Sequence, residues 1–173
     1  PLDSKTRGLV GFCPQEPVVY DELSGFENIM FYAGLHGLSG SEAAKKCREL
    51  LDKLGLLEHA DRRAGKYSGG MKKRLNFAIA LIGDPEVLLL DEPTSNLDYK
   101  NTKNVYGLLR RLNREEGKTI VVVEHDTDLL AEYAEKILVI NDGKIVKNGS
   151  KEEVFSDCRL LENLGIKIPR GWF

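Results

Sequence analysis

The sequence predicts an α/β fold in which a parallel sheet is closed by an antiparallel edge hairpin and accompanied by a small helical subdomain. Two short apolar runs, 87–90 and 119–123, have the unbroken hydrophobicity of strands that are buried on both faces. Amphipathic helical patterns alternate with these strands, as is typical of a parallel sheet. The turn Asn141-Asp142-Gly143 between two later strands predicts the hairpin.

The composition describes a globular chain without a strong charge. Of the 173 residues, 42% are hydrophobic and 30% are charged, and the net charge is −2, which argues against general binding to nucleic acid. No apolar run approaches the roughly 18 residues that a membrane span needs. The three cysteines are scattered and form no CxxC pair, so we expect neither a disulfide framework nor a zinc site, and a reducing cytosol is favoured.

Polar side chains follow three of the predicted strands. Gln15 lies in a loop that Pro14 and Pro17 hold extended after a strand over 7–13. Asp91 and Glu92 end a strand over 86–91, and His125 follows the strand over 119–123. Because the carboxyl ends of parallel strands meet at one edge of a sheet, these four side chains are expected to converge. Taken singly, Gln15 could be a solvated loop residue, and the two carboxylates could merely begin a loop.

Helix caps divide the rest of the chain. Ser-x-x-Glu capping boxes begin at Ser24, Ser39 and Ser150, and Gly55 suits the position after a helix end. These signals predict a helical subdomain over 21–75 between two parts of the sheet-containing core, 1–20 and 76–173. A last strand pair is predicted over 136–140 and 144–146, and the tail from Ile166 onward has no assigned structure.

Ser68, Gly69 and Gly70 begin a helix that carries exposed backbone amides and no bulky side chain. Such a helix start suits an anion. Two glycines in a first turn cost roughly 1 kcal/mol each relative to alanine, which favours close approach of a ligand over an ordinary serine cap.

Together these segments resemble the ATP-binding-cassette (ABC) ATPases, the motor subunits of ABC transporters. Five motifs occur in the family's order and span roughly residues 7–150. They are similar to the glutamine loop (Pro14-Gln15-Glu16), the signature motif (Tyr67-Ser68-Gly69-Gly70-Met71), Walker B with its glutamate (Leu88-Leu89-Leu90-Asp91-Glu92), the D-loop (Ser95-Asn96-Leu97-Asp98) and the switch histidine (His125).

The resemblance implies ATP and Mg²⁺ as cofactors and gives each site residue a role. Asp91 and Gln15 would serve the metal, Glu92 would polarise the hydrolytic water, and His125 would contact the γ-phosphate. The signature residues Ser68, Gly69 and Gly70 would bind the ATP of an opposite subunit, with Asp98 at that dimer interface.

The partners implied are a second ABC ATPase subunit, packed head to tail, and an integral-membrane permease, with no nucleic acid. The location would be the cytoplasmic, inner face of the membrane. Local similarity around Tyr20 and the signature favours export over import. Two alternatives remain: a non-transport ABC ATPase of DNA repair or translation, and a non-hydrolytic docking module.

Two departures from the family pattern are visible. Met71 stands where the signature usually has glutamine, and no G-x-x-x-x-G-K-[ST] sequence occurs. The expectation is therefore a fragment that lacks the P-loop segment, that alone neither binds ATP tightly nor hydrolyses it, and that self-associates through exposed apolar edges.

Overall fold

The computed structural model describes residues 8–95 and 97–172, which form two compact units. The first unit extends to Val123 and the second begins at Glu124. Residue 7 of the first predicted strand and Asn96 of the predicted D-loop lie outside the described residues. Among the described residues, no helix is long and apolar enough to cross a membrane.

A three-stranded parallel sheet forms the centre of the first unit. The strands pair in the order β1-β2-β3, and their register places Cys13 beside Leu90 and Asp91 beside Val123. Leu88 and Leu90 point into the core and are almost fully buried. The strands are β1 (Val10–Cys13), β2 (Val87–Asp91) and β3 (Thr119–Val123).

Among its described residues the first unit also contains four helices, and most of their predicted caps are confirmed. Ser24 forms the predicted capping box with Glu27, and the Ser68 side chain accepts a hydrogen bond from the Met71 amide. The box predicted at Ser39 is wrong, because the Ser39 side chain makes no cap hydrogen bond. The helices are α1 (Gly25–Leu35), α2 (Gly40–Lys53), α3 (Gly69–Leu81) and α4 (Tyr99–Arg114), with 3₁₀ turns at Leu57–His59 and Ala64–Lys66.

The end of α2 is fastened to α3. Gly55 has φ 63°, and the Leu56 amide donates to the Leu51 carbonyl at 2.7 Å, as in a Schellman cap. The carbonyls of Leu54 and Gly55 then accept from the Arg74 guanidinium at 2.9 and 3.3 Å. This arrangement confirms Gly55 at the position after the helix and ties α3 to the end of α2 at Arg74.

The second unit contains a hairpin with helices packed on one face. Its core is formed by Ile137, Val139, Val154, Phe155 and Leu161. The tail that the sequence left unassigned packs against this core, and the Trp172 ring lies 5.1 Å from that of Phe155. The elements are α5 (Thr127–Tyr133), β4 (Lys136–Asn141), β5 (Lys144–Ser150), α6 (Lys151–Phe155) and α7 (Cys158–Asn163).

The predicted hairpin is confirmed, but it forms a two-stranded sheet of its own in the described residues. Asp142 and Gly143 both have positive φ, 47° and 72°, as a type I′ turn requires. Turn chemistry specifies this local pairing, whereas pairing with a strand of the parallel sheet would depend on contacts distant in sequence. The boundaries of the predicted subdomains at 20/21 and 75/76 stay predictions.

Candidate active site

Gln15 and Glu92 meet at the carboxyl edge of the parallel sheet. Since Cys13 pairs with Leu90, the two chains leave the sheet side by side, and Gln15 comes level with Glu92. The Gln15 side-chain amide donates to Glu92 Oε2 at 3.0 Å. Asp91 ends β2 immediately before this pair and is half-buried. The structure therefore brings together three of the predicted site residues.

The backbone of Glu92 adopts an unusual conformation. Its φ is 44°, in the left-handed region that non-glycine residues rarely occupy and that is often found at functional sites. Its amide donates to the Val123 carbonyl at 3.0 Å. Its carbonyl accepts from Lys73 Nζ at 3.0 Å and from the amide and hydroxyl of Ser95 at 3.2 and 3.1 Å. The turn after β2 is thus held on both sides of the carboxylate.

The loop that carries Gln15 is fastened by Asn76, a fully buried residue of α3. Asn76 Oδ1 accepts from the Val18 amide at 3.1 Å, and Nδ2 donates to the Pro14 carbonyl at 3.1 Å. Nδ2 also lies 3.2 Å from Cys13 Sγ. Burial raises the pKa of the Cys13 thiol to about 11, although Lys73 and Asn76 act in the opposite direction. Cys13 is therefore a protonated packing residue at neutral pH.

Ser68, Gly69 and Gly70 form the first turn of α3 at the surface. The Ser68 hydroxyl caps the helix by accepting from the Met71 amide at 3.2 Å. A Cβ added at Gly69 would meet no atom within 4 Å, so the space beside its Cα is open. The observed helix start fits the predicted anion site.

Asp98 is an exposed helix cap. Its carboxylate accepts from the Asn101 amide at 2.8 Å and from the Asn101 side chain at 2.6 Å. These hydrogen bonds, the backbone one foremost, lower the pKa of Asp98. The sequence-based role at a dimer interface stays a prediction.

His125 belongs to the second unit, so its predicted convergence with Glu92 also stays a prediction. Within the described residues no three His, Cys, Asp or Glu side chains come together as a metal site. The assignment of Asp91 and Gln15 to a metal is likewise a prediction.

Lys73 and Asn76 are site residues that sequence reasoning missed. Both lie on α3, where the apolar spacing of Leu75, Ala78 and Ile79 predicts only one buried face. The helix is instead buried on nearly all sides from Leu75 to Leu81. A lysine and an asparagine within so buried a helix were the available signal, because buried polar groups require hydrogen-bond partners.

Comparison with known proteins decides the family. The family model described as "ABC transporter" matches residues 2–95, more than half of the chain. The chain belongs to the ABC transporter ATPase family. This result confirms the resemblance drawn from the five motifs.

The curated relatives are described as ATP-binding proteins. A putative ABC transporter ATP-binding protein of Methanothermobacter thermautotrophicus is 38% identical over 96% of this chain and 59% of its own length. The energy-coupling factor transporter ATP-binding protein EcfA of Methanocaldococcus jannaschii is 37% identical over 96% of this chain and 58% of its own. The linearmycin resistance ATP-binding protein LnrL of Bacillus subtilis is 33% identical over 88% and 49%. The chain thus spans about half to three fifths of these relatives.

Solved structures agree on the fold. The ATP-binding cassette MJ0796, in a dimeric post-hydrolysis state bound to ADP and Pi, matches with a TM-score of 0.78 and 31% identity over 87% of this chain and 68% of that one. The cbiO1 protein of Clostridium perfringens, described as part of the ABC transporter complex cbiONQ, gives a TM-score of 0.77 and 29% identity over 96% and 66%.

Proposed function

We propose that this chain carries the hydrolytic glutamate of an ABC transporter ATPase that couples ATP hydrolysis to transport by a membrane partner. The observation that carries the proposal is the contact between Gln15 and Glu92, 3.0 Å long, at the carboxyl edge of a parallel sheet. A carboxylate fixed there, beside a second carboxylate on Asp91, is what hydrolysis of a bound nucleotide requires.

Glu92 is assigned to orient the attacking water and to accept its proton. Asp91 and Gln15 offer a carboxylate and an amide oxygen, the hard oxygen donors that Mg²⁺ prefers, so the residues present fit this ion. When bound, Mg²⁺ would neutralise charge on the phosphate oxygens. His125 is assigned as a hydrogen-bond donor to the γ-phosphate.

The second half of each ATP site is proposed to come from another copy or a paired homologue. Ser68, Gly69 and Gly70 offer an open helix start, and phosphate oxygens would accept hydrogen bonds from its amides. Asp98 is assigned to the same dimer interface. The relative MJ0796 is described as dimeric, which supports a paired arrangement.

An aromatic cluster of α1 and the loop before it is proposed to meet the permease at the cytoplasmic face of the membrane. The rings of Tyr20, Phe31 and Tyr32 pack edge to face at 5.2 and 5.4 Å, yet Tyr20 and Phe31 are 46% and 44% exposed. Leu35 on the same helix is 69% exposed. Exposed apolar groups gathered in this way mark contact surfaces.

A continuous set of hydrogen bonds joins this cluster to the hydrolytic glutamate. Tyr32 donates its hydroxyl to the Val18 carbonyl at 2.8 Å, and the Val18 amide donates to Asn76. Asn76 in turn holds Pro14, the neighbour of Gln15, and Gln15 donates to Glu92. A partner that moves Tyr32 would therefore act on Glu92 through packed, hydrogen-bonded groups.

The hydrolytic role is tested by Glu92→Gln in the full-length gene product. We expect steady-state phosphate release to fall by about 100-fold or more, because a general base is removed, while Mg-ATP binding persists. The matched control is Glu86→Gln, which changes an exposed glutamate immediately before β2 and should keep wild-type turnover. Unchanged turnover in Glu92→Gln would remove the proposed role.

The membrane partner is tested by co-purification of a permease from detergent-solubilised membranes. Phe31→Ser should lower the recovery of the permease, whereas Leu57→Ser, which changes a residue 40% exposed elsewhere in the first unit, should not. Recovery of nucleic acid or ribosomes instead would favour a non-transport ABC ATPase. ATP-dependent association with a complete ATPase, without turnover, would favour a docking module.

Assayed by itself, the 173-residue chain should show no turnover, since its sequence holds no G-x-x-x-x-G-K-[ST] to cradle the β- and γ-phosphates. Phosphate release by the purified chain that Glu92→Gln abolishes would contradict this expectation.

A further inference from the structure

Lys73 is a charged residue buried in the first unit, with a relative exposure of 6%. Its ammonium donates to the carbonyl oxygen of Glu92 at 3.0 Å. A buried ammonium loses its hydration, so this position is unfavourable unless the charge meets a strong acceptor. An apolar side chain would fill the same site without that cost. The choice of lysine therefore points to a role beyond packing.

The carbonyl that Lys73 contacts belongs to the residue whose conformation matters most to the site. Glu92 has φ 44°, a value that persists only when its surroundings hold it. Lys73 and Ser95 hold the carbonyl, Val123 accepts from the amide, and Gln15 donates to the carboxylate. Of these hydrogen bonds to Glu92, the one from Lys73 is made by a residue of α3.

The first turn of α3 is the proposed anion site, and Lys73 lies one turn further along the same helix. Gly69 precedes Lys73 by four positions, which is close to one helical turn. Arg74 ties this part of α3 to the end of α2 through the carbonyls of Leu54 and Gly55. A shift of the first turn of α3 on phosphate binding would therefore also move Lys73.

We propose that Lys73 is a positioning residue that links the signature turn of a subunit to the Glu92 turn of the same subunit. The proposal rests on the proposed function, in which one subunit gives its signature turn to one ATP site and its Glu92 to the other. The link from Ser68–Gly70 through Lys73 to Glu92 then couples the two ATP sites of the dimer.

The test is the dependence of ATP hydrolysis on ATP concentration in the full-length gene product. Two coupled sites give a Hill coefficient between one and two in the wild type. Lys73→Met should lower kcat about tenfold and bring the Hill coefficient to one. Ser95→Ala removes a donor to the same carbonyl but leaves the α3 contact, so it should lower kcat and keep the wild-type Hill coefficient.

The matched control is Lys72→Met, the same chemical change one residue earlier. Lys72 forms an ion pair with Asp21 at 2.6 Å. It should retain both kcat and the Hill coefficient. Lys73→Arg keeps a cation at the carbonyl and should recover part of the cooperativity that Lys73→Met loses.

Thermal unfolding and hydrogen exchange distinguish the proposed positioning role of Lys73 from a merely structural role. Lys73→Met should keep or raise the melting temperature, because Ser95 still satisfies the carbonyl and a buried charge is gone. Exchange in segment 90–95 should nevertheless become faster. If Lys73→Met does not fold, Lys73→Arg and Ser95→Ala carry the test.

Several outcomes would overturn the proposal. A wild-type Hill coefficient of one, or equal Hill coefficients in the wild type and Lys73→Met, would remove the coupling while leaving the ATPase assignment intact. A loss of kcat that merely follows a lower melting temperature would leave Lys73 as a structural residue. A wild type without any turnover would overturn both the coupling and the proposed function.

Discussion

Replacing Asn76 should lower the stability of the fold, because this residue holds the loop that carries Gln15. It is fully buried, and its side chain binds the loop on both sides of Gln15, at the Pro14 carbonyl and the Val18 amide, both at 3.1 Å. The change we consider is Asn76→Leu, which has a similar volume and no hydrogen-bonding group.

The expected cost follows from these two bonds. Each hydrogen bond contributes about 1 kcal/mol net, and a buried partner left unsatisfied costs about 1–3 kcal/mol. Because the Val18 amide and the Pro14 carbonyl are only partly buried, some solvent can reach them and reduce that penalty. Better apolar packing by leucine offsets little of it. We therefore expect Asn76→Leu to lower the free energy of unfolding by about 2–4 kcal/mol.

Urea unfolding followed by circular dichroism measures this difference. The midpoint should fall while the slope m stays unchanged, which marks a loss of stability without a change in the surface exposed. The matched control is Asn113→Leu on α4. Asn113 is exposed and donates to the Lys118 carbonyl at 2.9 Å, so its loss should cost below about 1 kcal/mol. Equal effects of the two substitutions would contradict this prediction.

Three further predictions concern stability. Gly11→Ala should lower the free energy of unfolding by about 1–3 kcal/mol, because the added Cβ would clash with the backbone carbonyl oxygen of Ala80 and would lie 2.8 Å from Pro85 Cγ. Gly107→Ala, at a helix position with open space around the added Cβ, should raise it by up to about 1 kcal/mol, and urea unfolding measures both changes. A hydrogen bond from Lys118 lowers the pKa of Asp84, so this ion pair stabilises the fold above the usual carboxyl pKa near 3.9 and is lost as pH falls through the lower folded value. Between pH 5 and 3, the free energy of unfolding should therefore fall less in Asp84→Asn than in the wild type. The difference should be below about 1 kcal/mol, because the Asp84 side chain is 69% exposed, and an equal fall in both proteins would contradict this. Thr127→Val should raise the melting temperature slightly, because the buried Thr127 hydroxyl has no hydrogen-bond partner in the described structure; a clear decrease would show that the hydroxyl is satisfied.

Local signals allowed much of the fold to be predicted. The capping box at Ser24, the cap at Ser68 and the Asp142-Gly143 turn depend on residues within four positions of one another. Such contacts are visible in sequence because the side chain and its partner occur together. Ser39 shows the limit, since the same spacing occurs there without the bond.

The contacts that hold the site were beyond sequence reasoning because they join distant parts of the chain. Lys73 and Glu92 are 19 positions apart, and Asn76 and Val18 are 58 apart. Periodicity distinguishes one buried face of a helix from one exposed face, and it fails for α3, which is buried nearly all round. The convergence of Gln15 and Glu92 was predictable because parallel register alone brings them level.

Contacts close in sequence also explain why the hairpin of the second unit forms a sheet of its own. Ile137 and Val139 face helices that follow them in the chain, so the hairpin buries one face by contacts close in sequence. Its other face exposes Leu138 and Ile140, at 52% and 63%. Alternation of this kind predicts a half-buried strand, but it does not specify which further strand pairs with it.

We propose that hydrolysis needs Glu92 from one copy and the signature turn from another. This requirement is tested most directly by mixing two inactive variants of the full-length gene product. Glu92→Gln removes the base. Gly69→Asp places a carboxylate before the proposed phosphate site, and the open space at Gly69 lets the variant fold.

In a head-to-tail dimer of the two variants, one site carries both changes and the other site carries neither. We expect that each variant alone releases almost no phosphate and that the mixture recovers a measurable part of wild-type turnover. A mixture that forms dimers and stays as inactive as its components would show instead that both residues act within one subunit.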